Sequence, residues 1–151
     1  MDVYTTKLAK PASLNDNIVY LCSEFSHQFA LALSRRFASR GLKVTPEQFT
    51  ILVALLFKEG VTQQEISESL GRDKTTIARV ISNLKKNGLV KHTTDQSDNR
   101  AKLIHLTPKG RAIQKQAVEI SGTLYMEAIK NINEADLKES AKLLTTMLSN
   151  L

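Results

Sequence analysis

The chain has 151 residues, of which 42% are hydrophobic and 24% charged, values typical of one globular domain with its own core. The longest apolar run, Ile51 to Phe57, is far shorter than the roughly 20 residues that cross a bilayer. The N-terminus lacks the apolar stretch of a secretory signal, and the single cysteine, Cys22, cannot form an internal disulfide. We therefore expect a cytoplasmic protein with no membrane partner, and we exclude disulfide scaffolds and disordered chains.

The positive charge is concentrated in one third of the chain. The whole sequence carries 21 Lys and Arg against 15 Asp and Glu, a formal charge of +6. Residues 62–111 hold ten basic and five acidic side chains, whereas the remainder is almost neutral. This distribution predicts a surface that meets a polyanion, although a solvated face with a chance excess of lysine would give the same count.

Capping residues and glycines predict two long helices in the first part of the chain. Apolar residues at three- and four-residue steps from Leu14 indicate an amphipathic helix that stops at Gly41. Thr45 and Pro46 begin a second helix, which carries the apolar run and closes at Gly60.

Two shorter helices follow. A capping box that starts at Thr62 opens the first, and Gly71 ends it. Asp73 caps the second, which closes at Gly88. One face of this second helix is an apolar stripe of Ile77, Val80, Ile81 and Leu84.

The C-terminal part predicts a hairpin and two more helices. Extended runs at 89–94 and 100–107 flank a polar turn, as in a β-hairpin. Thr107 with Pro108 begins a fifth helix, and Asn133 caps the last one. Gly122 falls inside the fifth helix, where it indicates a kink or the close approach of another element.

Residues 62–87 have the arrangement of a helix-turn-helix, in which the second helix lies in the major groove of DNA. The face opposite the apolar stripe carries hydroxyl and basic side chains. Small hydroxyl residues such as Thr75 let the backbone approach a duplex, and Arg79 can reach a guanine edge or a phosphate. A generic amphipathic surface helix has the same period, but the capped helix before it and the hairpin after it favour DNA binding. This outer face consists of Thr75, Arg79, Ser82 and Lys86.

The hairpin at 89–107 has the form of a wing. We expect Arg100, near its tip, to enter the minor groove, with Asp98 fixing the direction of the guanidinium. An ordinary exposed salt bridge between these two residues is the alternative.

The stretch TQQEISESLGRDKTTIARVISNLKKNGLV, followed by DNRAKL and LTPKGRAI, resembles the MarR family of winged helix-turn-helix regulators. The resemblance covers 14–151 as a single domain and is most specific from Thr62 to Ala112. It implies a mainly α fold with a small β-hairpin wing and with dimerisation helices at about 14–40 and 108–151. It also implies a homodimer that binds double-stranded, pseudo-palindromic operator DNA, usually as a repressor, with no cofactor.

The resemblance further implies that the residues from Arg72 to Arg79 contact the major groove or its flanking phosphates. Many relatives carry Arg where Asn99 stands, so minor-groove contact here depends on Arg100 and Lys102. The candidate DNA-binding residues are therefore Thr62, Gln64, Arg72, Asp73, Lys74, Thr75, Thr76, Arg79, Lys86, Asp98, Arg100 and Lys102.

Relatives often hold a small aromatic ligand between the dimer helices and the winged domains, or sense oxidants through a cysteine. Cys22 lies on the apolar side of the first helix without a basic neighbour, so we interpret it as a buried, inert thiol. A redox sensor that acts through Cys22 is the alternative. His92 and His105 are placed to face each other across the hairpin, but without further ligands we predict no metal site.

Two other function classes fit the sequence less well. The sequence has no nucleotide-binding, metalloprotease or hydrolase motif, and its histidines lack catalytic partners, so we expect no enzyme. A winged helix that binds a protein is the remaining alternative, against which the charge of residues 62–111 argues.

Overall fold

The computed structural model describes residues 13–94 and 101–151. A 3₁₀ turn at Leu14–Asp16 precedes two helices, followed by a short strand, the two short helices, a hairpin and two final helices. This order confirms the predicted mainly α fold with a small β-hairpin. The elements are α1 (Ile18–Ser39), α2 (Pro46–Phe57), β1 (Val61–Thr62), α3 (Gln63–Leu70), α4 (Lys74–Lys86), β2 (Val90–Thr94), β3 (Lys102–Leu106), α5 (Pro108–Ala128) and α6 (Glu134–Ser149).

The strands form one antiparallel sheet in the order β1-β3-β2, with Val61 opposite Ile104. Strand β1 was not predicted, because two residues are too few to show an alternating pattern.

The sheet register contradicts the predicted facing pair of histidines. His105 lies opposite Lys91, whereas His92 lies opposite Ile104. Because neighbouring residues on a strand point to opposite faces, the two imidazoles lie on opposite sides of the sheet. Within residues 13–94 and 101–151, no three His, Cys, Asp or Glu side chains are grouped so that they could hold a metal ion.

The predicted caps begin the helices as expected, with two differences at helix ends. Asn17 interrupts the first predicted helix, because its side chain accepts hydrogen bonds from the backbone amides of Val19 and Tyr20 at 3.0 and 3.1 Å. Helix α2 ends at Phe57, three residues before Gly60, because Lys58 is already extended.

One apolar core holds these elements together. The four residues of the α4 stripe are all buried, and Leu84 is fully inaccessible to solvent. Burial of an aliphatic side chain of this size contributes about 2 kcal/mol to stability, so the stripe fixes the orientation of α4. The largest fully buried side chains are Phe37, Ile51, Leu52, Leu55, Ile66, Ile81, Leu84, Ile104 and Val90.

Polar contacts attach the long helix α5 to α1 and α2. Nη1 and Nη2 of Arg36 each donate to one carboxylate oxygen of Glu127, which is a bidentate pair between α1 and α5. The buried amide of Gln114 donates to the carbonyl of Leu52 at 2.5 Å. These contacts connect α5 to α1 and to α2.

Two helix faces lack a partner among residues 13–94 and 101–151. Helix α6 buries none of its side chains, and Leu148 is 72% exposed. The first half of α1 is also open, with Phe25 at 57%. Cys22 lies on this open part and is exposed, so the prediction of a buried thiol is wrong for the single chain.

In the part of the chain that the structure describes, no helix is both long enough and apolar enough to span a membrane.

The start of α5 packs directly on the segment that follows α4. The hydroxyl of Thr107 donates to the carbonyl of Gly88 at 2.6 Å and accepts a hydrogen bond from the amide of Gly110. A Cβ at Gly110 would lie 1.8 Å from the carbonyl oxygen of Leu89, a distance that no relaxation of side chains can relieve. A Cβ at Gly122 would meet no atom of the described residues within 4 Å, so of the two predictions for this glycine, a kink or a close approach, the described residues do not supply the close approach.

The two glycines of α5 therefore predict opposite effects of alanine. Gly110→Ala should lower the free energy of unfolding by about 2 kcal/mol or more, because the added methyl overlaps backbone. Gly122→Ala should leave the free energy of unfolding unchanged or raise it by up to about 1 kcal/mol, since alanine has a higher helix propensity than glycine and the position has room for the methyl group. Urea unfolding at one fixed protein concentration measures both. Equal effects of the two substitutions would contradict the packing described here.

Candidate nucleic-acid interface

Hydrogen bonds within the chain fix both the start of α3 and the turn between α3 and α4. The amide of Thr62 donates to the carboxylate of Glu65 at 2.7 Å, and the amide of Glu65 donates back to the Thr62 hydroxyl. Gly71 ends α3 with a φ of 57°, in the left-handed region that glycine tolerates best. The buried hydroxyl of Ser67 then donates to the carbonyl of Arg72 at 2.5 Å. Ser67 was not predicted, because nothing in its sequence neighbourhood points to this tertiary contact.

Asp73 begins α4 as its cap. Its carboxylate accepts a hydrogen bond from the amide of Thr76 at 2.8 Å. Hydrogen bonds from the Thr76 side chain and backbone hold the pKa of Asp73 below its usual value. The carboxylate therefore remains ionised at the positive end of the helix dipole, and its structural part is to position α4.

The two faces of α4 differ in the way the sequence predicts. Lys74, Thr75, Arg79 and Lys86 are exposed, Thr76 is half-buried, and the apolar stripe faces the core. The exposed face combines hydroxyl groups with long cationic side chains. That these groups bind DNA stays a prediction.

The other candidate residues have different surroundings. The Thr62 hydroxyl is engaged in the cap of α3, and the exposed amide of Gln64 donates to Glu68 at 2.8 Å. Arg72 is exposed in the turn, and Lys102 is exposed on β3 opposite Thr94. Asp98, Asn99 and Arg100 lie outside the described residues.

Two lysines lie close enough to His92 in the hairpin to affect its charge. Burial, followed by the charges of Lys85 and Lys102, lowers the pKa of His92. The imidazole is therefore more readily neutral than a free histidine, because burial first and the two positive charges second disfavour its protonated form. Lys91, the residue before His92 on β2, is also exposed.

Glu59 attaches the hairpin base to α5, and the sequence did not reveal it. Its carboxylate accepts a hydrogen bond from Arg111 at 2.5 Å and another from the amide of Leu106 at 3.2 Å. The Arg111 contact, above all, lowers the pKa of Glu59. This three-part contact joins the loop after α2, strand β3 and helix α5.

A second unpredicted acid touches the outer face of α4. The guanidinium of Arg79 donates to the carboxylate of Glu47, in the first turn of α2, at 3.1 Å. The residues are 32 positions apart, so no local spacing indicates the pair.

The described part of the chain also contains two cavities of about 550 Å³. One is an apolar groove between α2 and α3, lined among others by Phe49, Val53, Phe57, Ile66 and Leu70. The other lies between α1 and α5 and is polar, with Arg36, Arg40 and Glu119 in its lining.

Comparison with known proteins identifies the family. The family model described as MarR family matches residues 41–101, which includes α2, α3, α4 and β2. The organic hydroperoxide resistance transcriptional regulator of Bacillus subtilis strain 168 is 29% identical over 110 residues, 73% of this chain and 74% of its own.

Solved structures agree over most of the chain. The transcriptional regulator SlyA is 25% identical with a TM-score of 0.81, and the match covers 89% of this chain and 93% of SlyA. CouR from Rhodococcus jostii RHA1, in a structure bound to p-coumaroyl-CoA, is 25% identical with a TM-score of 0.80, covering 91% of this chain and 95% of CouR. The helix-turn-helix of α3 and α4, the hairpin and these similarities together show that the chain belongs to the MarR family of winged-helix, DNA-binding transcriptional regulators.

Proposed function

We propose that the chain is a homodimeric repressor that places α4 in the major groove of a pseudo-palindromic operator and its hairpin at the flanking minor groove. The proposal rests on the difference between the buried and the exposed face of α4. Its stripe is buried in the core, so the chain presents Thr75 and Arg79 outward from a helix that cannot rotate. The forked donors of Arg79 match the two acceptors on the major-groove edge of guanine.

The remaining candidate residues either contact phosphates or stabilise the helices that present those contacts. Lys74 and Lys86 are exposed near the two ends of α4, where they can pair with phosphates on either side of the groove. Asp73 and Thr62 act through the caps that they form. Lys102 and, from the sequence alone, Arg100 supply the cations of the wing.

The unpartnered helices support a dimer. A 16-residue helix with no buried side chain is marginal in water, because its stability comes mostly from packing. A two-fold contact between copies would cover the apolar residues of α6 and the open half of α1 on both chains. It would also set two α4 helices at half-sites about one turn of DNA apart.

We further propose that a small apolar or aromatic ligand relieves repression. The groove between α2 and α3 has a suitable size and an aromatic lining, and it adjoins the helix that supports α4. The ligand seen in CouR shows that one structural relative binds an aromatic acyl thioester.

A redox sensor is the second candidate. The exposure of Cys22 and the hydroperoxide-linked name of the Bacillus subtilis relative favour it. No basic residue lies within one turn of Cys22 in α1, and Glu24 is two residues away, so no cation of that helix turn is placed to activate the thiol. We therefore rank it below the ligand-binding regulator.

Replacing Arg79 tests base recognition directly. Arg79→Ala should reduce the preference for a duplex selected from a randomised pool over a scrambled duplex by about tenfold, because one forked contact to a base is lost. Arg35→Ala on α1 removes the same charge from an exposed position away from α4 and should keep the preference. Fluorescence anisotropy at several salt concentrations measures both affinities. Full discrimination in the Arg79 variant would exclude it as a base reader.

Charge on α6 tests the dimer. Leu148→Glu should shift the protein from dimer to monomer at micromolar concentration and weaken operator binding, because an ionised carboxylate would be buried between copies. Thr146→Glu adds the same charge two residues earlier, on the opposite side of α6, and should remain dimeric. Sedimentation velocity distinguishes the states. A dimeric Leu148 variant would place the interface elsewhere.

A further inference from the structure

We propose that Glu47 determines specificity by holding Arg79 in position and by weakening the attraction of Arg79 for phosphate. The inference rests on the proposed function, in which Arg79 contacts a base. Glu47 is a positioning residue in this account, since it acts through the guanidinium of Arg79.

The geometry restrains one end of the guanidinium and leaves the rest free. Nη2 of Arg79 donates to Oε2 of Glu47 at 3.1 Å, whereas its Nη1 and Nε have no partner among the described residues. Both side chains remain more than half exposed, so the pair lies at the surface that a duplex would approach. The free donors are enough for a two-point contact with guanine.

The position of Glu47 suits an ionised partner. It follows Pro46 in the first turn of α2, where the helix dipole favours a negative charge. Helix α2 is itself anchored by buried Ile51 and Leu52, so the carboxylate is presented from a fixed element. Glu47, Arg72 and Thr76 also line one small cavity of about 150 Å³, which places the acid beside the turn as well as beside α4.

This pairing sets Arg79 apart from the other cations of α4. Lys74, Lys85 and Lys86 form no ion pair with any residue of 13–94 or 101–151. A paired guanidinium is close to neutral as a unit and gains little from a phosphate, and the carboxylate repels that phosphate. The uncharged acceptors of a base edge remain available to it. Glu47 therefore directs Arg79 away from the phosphates of the DNA backbone and toward the base edges.

The test removes Glu47 and Arg79 singly and together, with Glu119→Ala as the control. Glu119 is an exposed acid on α5 without an ion pair among the described residues, so its loss changes the net charge equally. Affinities are measured for a duplex selected by the wild-type protein from a randomised pool and for a scrambled duplex, over a series of salt concentrations. Thermal unfolding of each variant confirms that it is folded.

We expect Glu47→Ala to bind the scrambled duplex more tightly and to lose about fivefold in preference for the selected duplex. The logarithmic salt slope should steepen by about one, because a freed guanidinium takes up a phosphate. Both changes should vanish when Arg79 is already alanine, and Glu119→Ala should leave the preference unchanged.

Two results would overturn the inference. Equal effects of Glu47→Ala and Glu119→Ala would reduce Glu47 to a general negative charge, and an effect that persists without Arg79 would show that it acts elsewhere. In both cases a loss of preference in Arg79→Ala alone would leave the proposed function standing. Retained preference in that single variant would remove the proposed role of Arg79 and this inference together.

Discussion

The burial of the apolar stripe of α4 is the constraint on which the rest of the structure depends. Ile77, Val80, Ile81 and Leu84 are in contact with a core built by α2, α3, the sheet and α5, so α4 has one allowed orientation. Everything on its opposite face is then fixed in direction, and the Asp73 cap and the Ser67 contact to the turn fix its starting point. A helix held this firmly presents side chains to a groove with little loss of freedom on binding.

The same core connects the outer face of α4 to the parts of the chain that lack partners. Gly110 lets α5 approach the segment after α4, and Glu59 joins the hairpin base to α5. Helix α5 is in turn paired with α1 through Arg36. A change in how α1 and α6 meet a second copy, or in the groove between α2 and α3, would thus reach α4 through packed elements rather than through a mobile linker.

Local signals in the sequence predicted most of the fold. Caps at Thr45, Thr62 and Asp73 and the stripe of α4 act over three or four residues, so spacing alone revealed them. The sequence did not reveal contacts between residues that are far apart in the chain, because helical and strand periodicity acts only over a few residues. These contacts are the pairs of Glu47 with Arg79 and of Glu59 with Arg111, and the pairing of the two-residue strand β1 with β3. The exposure of Cys22 was misjudged for a related reason, since an apolar helix face can be left for another copy of the chain rather than for its own core.

Methylation protection of a bound duplex shows which groove α4 occupies, because dimethyl sulfate attacks guanine N7 in the major groove and adenine N3 in the minor groove. We expect the protein to protect guanine N7 in two patches about one helical turn apart, as two α4 helices on one side of the duplex require. Protection confined to the minor groove, or a single patch of guanine protection, would contradict this expectation.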